Sequence, residues 1–488
     1  MNPYLVLSLL MGYFVVLTGI SWLTSKNADT LTFFTANRKS PWFLVAFGMV
    51  GAALSGVTFI SVPGEVNNSA FSYLQFVFGN VVGYWLVAGI LLPLYYRLNL
   101  VSIYSFLDQR FGRSSYKTGS FFFLISKLIG AAFRLYLVAG VLQIAFFDAF
   151  KIPFPVTVIV TIALIWIYTY RGGIKTIVWT DTLQTFFLIS AVIFTIVVIG
   201  RSLNMNLFSM AERISYEPTS RIFFWDWKSG NNFFKQFIAG MFITIVMVGM
   251  DQDMMQKNLT CKNIKEAQKN MVVFSLSFLG AVFLFLCLGV LLIVFARETG
   301  IAIPAKTDDL YPLIALNHLS LPVGIAFLLG ITAAAYSSAD SALTAMTTSF
   351  SIDFLRIEQY EEVKRKKIKR NIHLMFSALL ILVILGFKAI SNESVVVAVF
   401  TVAGYTYGPI LGLFVFGIYI KRQIKDRWVP VVGILSPVLS YIISLYSEEL
   451  LWGYRFGFEI LVLNGLLTIL GLWIISLKPQ NEVKVKNK

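Results

Sequence analysis

Charged residues are scarce in this chain: they make up 13% of its 488 residues, whereas hydrophobic residues make up 57%. In a typical soluble domain about a quarter of the residues are charged, so the composition excludes an ordinary soluble protein. Long uncharged runs recur along the chain, many near the ~20 residues that a helix needs to cross a bilayer. The sequence therefore predicts a polytopic helical membrane protein.

Cysteine and histidine are also rare. The two cysteines, Cys261 and Cys287, provide neither a disulfide framework nor a metal-binding spacing. The two histidines, His318 and His373, are too few for a histidine metal site. No Ser-His or Cys-His constellation is evident, so we expect a protein that is not an enzyme.

Uninterrupted apolar runs predict about thirteen transmembrane helices, with ends uncertain by a few residues. The runs fall near 4–24, 42–64, 70–96, 119–147, 153–170, 178–200, 232–254, 271–297, 321–352, 371–390, 395–420, 428–446 and 456–477. The first run lacks a basic leading segment and a small-residue cleavage pattern, so it is interpreted as a retained helix. An odd number of spans places the two termini on opposite sides of the membrane.

Lysine and arginine set the predicted orientation, because basic residues collect in cytoplasmic loops. With the N-terminus outside, the inside segments receive Arg356 to Arg370, Lys421 to Arg427 and the lysine tail after Lys478. The net charge of +15 is then explained by topology rather than by nucleic-acid binding. The basic stretch 363–370 is expected to lie near anionic lipid. We expect a multi-pass protein of the plasma membrane, which in a bacterium is the inner membrane.

Two spans have the composition of broken helices. The second contains three glycines and a Pro-Gly pair with hydroxyl residues between them, and the seventh contains glycines and ends in two carboxylates. They lie five spans apart, as do the discontinuous helices of transporters built from inverted repeats. The sequence then divides into five-helix repeats at 42–200 and 232–420, with peripheral segments at 1–41 and 421–488. The alternative is that these glycines only allow close helix packing.

Polar residues interrupt the ninth apolar run. Four residues share one helix face: Ala334, Ser337, Ser338 and Ser341. Hydroxyl and carbonyl oxygens are ligands for hard cations, and a broken helix has free carbonyls, here near Gly51 and Leu54. The pattern predicts a Na⁺ site. The alternative is that these serines donate hydrogen bonds to carbonyls of their own helix. The adjacent Asp340 favours the ion site over this alternative, because a carboxylate inside a membrane span is costly unless it has a partner.

Three further charges lie inside apolar runs. Asp181 either caps the inner end of the sixth span or forms a second cation or proton site. Lys127 and Arg134 lie seven residues apart on one face of the fourth span, and Lys127 is expected to extend toward the inner surface. Arg134 is deeper. It either recognises a carboxylate in bidentate fashion or pairs with an internal acid.

Four motifs resemble the sodium:solute symporter family: GAALSGVTFISVPGE, YRGGIKTIVWTDTLQ, GMDQDMMQKNLTCKN and AAYSSADSALTA. The resemblance implies the leucine-transporter inverted-repeat fold with extra helices. It also implies a sodium site made by the backbone oxygens of Gly51, Leu54 and Ala334 and the hydroxyls of Ser337 and Ser338. Some members hold a second sodium, at positions that match Asp181, Ser337, Asp340 and Ser341. Asp340 stands where the family usually has Ser or Thr, so the resemblance does not decide whether this chain binds one sodium ion or two.

The same resemblance implies a solute site. Arg134 matches an arginine in members that carry anions, including sialic acid transporters. The corresponding substrate-contact positions are Ser55, Thr58, Phe71 and Gln75, and Thr244 is the polar residue of an otherwise apolar stretch of the seventh span.

The expected function is Na⁺-coupled symport of a small organic solute by alternating access, with the solute carrying a carboxylate, as sialic acid or another sugar acid does. We expect a monomer in the lipid bilayer. H⁺ coupling or a neutral sugar or amino acid is an alternative within the same fold. A channel or a transporter-like sensor is an alternative from another class.

Overall fold

The structure, a computed structural model, describes residues 3–25, 30–390 and 395–477. Within these ranges the regular structure is helical, and the only β-type pairing consists of two isolated bridges. The N-terminal part contains α1 Pro3–Ser25, α2 Thr30–Thr35, α3 Trp42–Ala53, α4 Gly56–Ser69, α5 Tyr73–Leu86, α6 Leu92–Arg97, α7 Ser105–Arg110, α8 Arg113–Ala145 and α9 Phe154–Ser202.

The C-terminal part continues the helical pattern. It contains α10 Leu207–Tyr216, α11 Phe233–Thr244, α12 Gln252–Asn258, α13 Ile264–Thr299, α14 Leu310–Leu313, α15 Leu321–Ser349, α16 Glu362–Ile390, α17 Val395–Thr406, α18 Gly408–Tyr419, α19 Val429–Leu445, α20 Ser447–Leu450 and α21 Ile460–Ile474. Short π-helical stretches extend α5, α11, α14 and α15.

All thirteen predicted regions carry an apolar helix, and the prediction of a polytopic all-helical protein is confirmed. Eight helices of the described chain are long and apolar enough to cross a membrane, or ten if each of two bent pairs counts as one span. Shorter apolar helices at α3, Phe154–Thr169 and α21 occupy the other predicted spans. The predicted lysine tail after Lys478 lies outside the described residues.

Both predicted helix breaks are present. The first separates α3 from α4, where Leu54 (φ −78°, ψ 63°) and Ser55 (φ −62°, ψ 173°) leave the helical conformation. The second follows the π-helical end of α11, where the chain bends by 69° into α12. A third bend, of 43°, lies between α17 and α18 and was not predicted. We call the first two the first break and the second break.

The fifth and sixth predicted spans are both present, as the helices Phe154–Thr169 and Gly173–Ser202 of α9. They are separated by a kink at Gly173, which has φ 56° and ψ −150°. This positive φ suits glycine, which carries no Cβ. The bend replaces the inner loop expected between the two spans.

Helices α5 and α11 pack backbone against backbone. A Cβ added at Gly79 would lie 2.0 Å from the Phe237 carbonyl oxygen, and one at Gly240 would lie 2.0 Å from the Phe76 carbonyl oxygen. Only glycine permits this approach on both sides. We call these contacts the glycine seam. Because α11 leads into the second break and α5 follows α4, the seam joins the neighbourhoods of the two breaks.

Candidate functional site

The first break leaves backbone acceptors free. Within the described residues no N–H group bonds to the carbonyl oxygen of Gly51 or Leu54. The Ser55 side chain does not cap α4 either. Buried carbonyls usually have a partner, so their freedom at this point indicates a site for a cationic ligand.

Helix α15 packs against α3 and α4 on either side of this break and supplies hydroxyl oxygens. Ser338 is buried, and its Oγ has no hydrogen-bond partner in the described part of the chain. Ser337 Oγ donates to Asp181 Oδ1 at 2.6 Å, which leaves its oxygen able to accept. Ala334 is buried on the same helix. These neutral oxygens fit a hard monovalent cation such as Na⁺.

The acids beside this serine face have partners that the sequence did not reveal. Asp181 lies inside α9, not at a helix end, and Lys257 Nζ is 2.7 Å from its Oδ2. Asp340 Oδ2 accepts from the Tyr168 hydroxyl at 2.8 Å. Asp340 Oδ1 and Ser341 Oγ are buried without partners among the described side chains.

The second break is held by ion pairs and hydrogen bonds. Asp251 caps α12 by accepting from the Asp253 and Met254 backbone N–H groups at 2.9 and 3.3 Å. Lys127 is buried rather than extended to the inner surface. Its Nζ lies 3.2 Å from Asp251 Oδ1 and 2.6 Å from Asp253 Oδ2. The predicted snorkelling of Lys127 is therefore wrong, because two internal carboxylates hold its ammonium.

A central cavity lies between the two breaks, with a volume of about 120 Å³. Its polar lining includes Ser55, Thr58, Tyr73, Asn80, Tyr84, Lys127, Arg134, Thr244 and Asp253. Arg134 makes no ion pair within 4.0 Å in the described chain, unlike Lys127, which lies seven residues earlier on the same face of α8. Asp253 lines the same cavity and is the internal acid available to Arg134, but the two side chains form no close ion pair.

Two predicted solute contacts lie elsewhere. Phe71 sits in a short 3₁₀ turn before α5 and packs on Phe283. Gln75 is fully buried, and it donates to the Asn231 carbonyl at 2.9 Å and accepts from the Phe224 N–H at 3.1 Å. The structure does not bring either residue to the central cavity.

The residues that α5 does present to the cavity were missed. Tyr73 and Phe76 supply aromatic surface, and Asn80 supplies an amide. With its amide nitrogen as donor, Asn80 bonds Thr244 Oγ1 at 3.1 Å and the Gly240 carbonyl at 2.9 Å. Asn80 carried a usable signal, since it is a polar residue inside an apolar run.

A multi-pass helical protein with two interrupted helices beside a polar cavity is by class a secondary transporter. The model of the sodium:solute symporter family matches residues 33–426, and the chain belongs to this family. The expected resemblance is thereby confirmed. The protein is a Na⁺-coupled symporter and not an enzyme.

Two relatives of known name extend this comparison. The sodium/sialic acid symporter SiaT of Proteus mirabilis is 24% identical over 475 residues, which is 91% of this chain and 90% of that protein. The sodium/sialic acid symporter NanT of Aliivibrio fischeri is 26% identical over 424 residues, which is 85% of this chain and 82% of that protein.

The fold is similar to that of a solved transporter structure. It is the substrate-bound, outward-open state of a Na⁺-coupled sialic acid symporter, and it aligns with a TM-score of 0.82 at 20% identity. The alignment covers 96% of this chain and 97% of the other. The likeness establishes the leucine-transporter type of fold.

Proposed function

We propose that the protein imports an anionic, carboxylate-bearing solute of the sialic acid type together with Na⁺, by alternating access. One observation carries the choice of an anion: the Arg134 guanidinium lines the central cavity and makes no ion pair within 4.0 Å among the described residues. The sialic acid specificity of the SiaT and NanT relatives supports the choice of solute.

Physical chemistry favours a carboxylate as the partner of Arg134. An ionised side chain inside a membrane protein is costly unless it is paired or hydrated. A guanidinium offers parallel N–H donors that match a carboxylate. The hydroxyls of Ser55 and Thr58 line the same cavity and suit the hydroxyl-rich remainder of a sugar acid.

We propose that Na⁺ binds at the first break, to the backbone oxygens of Gly51, Leu54 and Ala334 and the hydroxyls of Ser337 and Ser338. An ion there fixes the angle between α3 and α4 against α15 and so stabilises one state of the cavity. Coupling then needs only that Na⁺ and solute prefer the same state. A membrane potential of 100 mV adds ~2.3 kcal/mol per elementary charge moved.

The wider architecture is proposed on the same basis. Residues 42–200 and 232–420 form two inverted five-helix repeats, each beginning with a broken helix. The N-terminus lies outside and the C-terminus in the cytoplasm, in the orientation that the basic residues favour. The functional unit is a monomer in the lipid bilayer.

The test is uptake of labelled sialic acid into proteoliposomes. We expect accumulation with an inward Na⁺ gradient and none with K⁺ in its place. Arg134→Ala should abolish uptake of the acid, whereas Arg201→Ala, which changes an exposed arginine, should leave it at the wild-type level. A panel with a monocarboxylate and a neutral hexose as competitors identifies the solute class. Uptake driven by a proton gradient and indifferent to Na⁺ would refute the proposal.

A further inference from the structure

Both oxygens of the Asp181 carboxylate already have a partner within the protein. Lys257 Nζ lies 2.7 Å from Oδ2, and the Ser337 hydroxyl donates to Oδ1 at 2.6 Å. The side chains of Asp181 and Lys257 are 0% and 2% exposed. A buried ion pair of this kind is strongly held, because separating it leaves an uncompensated charge in the interior.

The second break explains how a lysine reaches this position. The 69° bend after α11 turns α12 inward, and α12 packs against both α9 and α15. Lys257 lies near the end of α12, and Asp253, one turn earlier, lies 4.0 Å from its Nζ. The ammonium is thus fixed from two sides by carboxylates.

This arrangement bears on the number of ions. Asp181 was expected to ligate a second sodium together with Ser337, Asp340 and Ser341. A sodium on Asp181 would have to share that carboxylate with an ammonium, and like charges repel strongly in a low-dielectric interior. Asp340 Oδ2 accepts from a neutral donor, the Tyr168 hydroxyl, while its Oδ1 has no partner among the described residues.

We propose that Lys257 is a resident cation that takes the place of a second sodium, so that the protein couples one Na⁺ to each solute. This inference rests on the proposed function and specifies its stoichiometry. With a singly charged anion as solute, one complete import step then moves no net charge across the membrane.

The first experiment measures binding of ²²Na⁺ to the purified protein without solute. We expect one ion per wild-type chain, with a Hill coefficient of about one. Two ions per chain would overturn the inference, and Asp340→Asn would show whether the extra ion uses Asp340. Absence of any Na⁺ binding would instead refute the proposed function, so the two failures are distinct.

Variants of the pair test the role of the lysine directly. Lys257→Met frees Asp181 for an ion and should raise the count to two. Lys257→Arg keeps the charge and should keep the count at one, as should the double variant Lys257→Met/Asp181→Asn. A folded Lys257→Met protein that still binds one ion would overturn the inference. If Lys257→Met does not fold, the wild-type count remains decisive.

A second readout uses membrane voltage. In proteoliposomes clamped with K⁺ and valinomycin, uptake of a monocarboxylate should be the same at zero and at negative interior potential. Stimulation by a negative interior with wild-type protein would indicate more than one Na⁺ per anion and would overturn the inference.

Discussion

The two breaks in the helical bundle are alike in position but opposite in chemistry. At the first break the carbonyls of Gly51 and Leu54 have no partner in the described chain. At the second, Tyr95 and Tyr104 donate to the carbonyls of Gly249 and Met250, each at 2.8 Å. The first break has no charged side chain within its sequence, whereas the second is flanked by two aspartates.

The difference separates two tasks. Free carbonyls are costly unless a ligand satisfies them, so the Na⁺ proposed for the first break would stabilise it only while the ion is bound. The second break is satisfied by the protein itself and keeps its geometry whether or not an ion is present. Substitutions at the first break should therefore change how much Na⁺ stabilises the protein against unfolding. Substitutions at the second break should destabilise the protein equally with and without Na⁺.

The largest effect is expected from removing the ion pair at the second break. Lys127→Met leaves the buried Asp251 without an ammonium partner and Asp253 with only Lys257 at 4.0 Å, which should lower the free energy of unfolding by about 3–5 kcal/mol. Thermal unfolding in detergent measures this loss, and we expect it to be equal with and without Na⁺. Arg113→Met, which changes an exposed residue of the same helix, is the matched control. A loss that Na⁺ reverses would contradict the comparison.

A steric change at the first break should have the next largest effect. A Cβ at residue 51 would lie 2.1 Å from Thr185 Oγ1 on α9. Gly51→Ala should therefore lower the free energy of unfolding by about 1–3 kcal/mol and weaken Na⁺ binding by displacing the carbonyl.

Two further variants test that steric explanation. Adding Thr185→Ala to Gly51→Ala should recover part of the loss, because the closest contact disappears. Gly130→Ala, where a Cβ meets nothing within 4 Å, is the matched control. Equal stability of Gly51→Ala and wild type would show that the packing relaxes without cost.

Ser338→Ala should affect Na⁺ specifically. Its hydroxyl has no partner among the described residues, so the Na⁺-free protein should unfold at nearly the wild-type temperature. The Na⁺ concentration for half-maximal stabilisation should rise about tenfold, which corresponds to ~1.4 kcal/mol. Ser126→Ala removes a buried hydroxyl that bonds the Phe122 carbonyl instead and should leave the Na⁺ response unchanged. An unaltered Na⁺ response in Ser338→Ala would remove this residue from the site.

The smallest effect is expected at the tyrosines of the second break. Tyr95→Phe or Tyr104→Phe frees one carbonyl each and should lower the free energy of unfolding by about 1 kcal/mol. The second break would then resemble the first, and the double variant should lose about twice as much. Chemical unfolding in detergent measures the change. An effect that depends on Na⁺ would place an ion at the second break as well.

The sequence reveals polar groups in apolar surroundings but not their partners. Ser338 and Arg134 stood out because hydroxyls and charges are expensive in a membrane span, and the first break stood out through its glycines and proline. Lys257 was missed. The positive-inside rule assigns Lys257 to the cytoplasmic loop that follows the seventh predicted span. In the structure, the 69° bend after α11 places this residue in the interior of the helical bundle instead.

Family resemblance was a poor guide to the residues at the start of α5. It implied that Phe71 and Gln75 contact the solute from one helix. Ala70, with φ 52°, and a 3₁₀ turn precede α5, so Phe71 is not on that helix. Tyr95 gave no signal, because a buried tyrosine and a lipid-facing one look the same in an apolar run. Tyr104 lies between the predicted spans 70–96 and 119–147, so it was not considered as a partner for the second break.

The glycine seam has a mechanical consequence. Two helices whose backbones touch cannot slide or separate without losing that contact, so α5 and α11 should travel as a single lever during the transport cycle. Since both helices line the central cavity, its opening would displace the aromatic wall of α5 and Thr244 of α11 together. A covalent link across the seam should then be harmless to turnover, while the same link between this lever and α15 should arrest it.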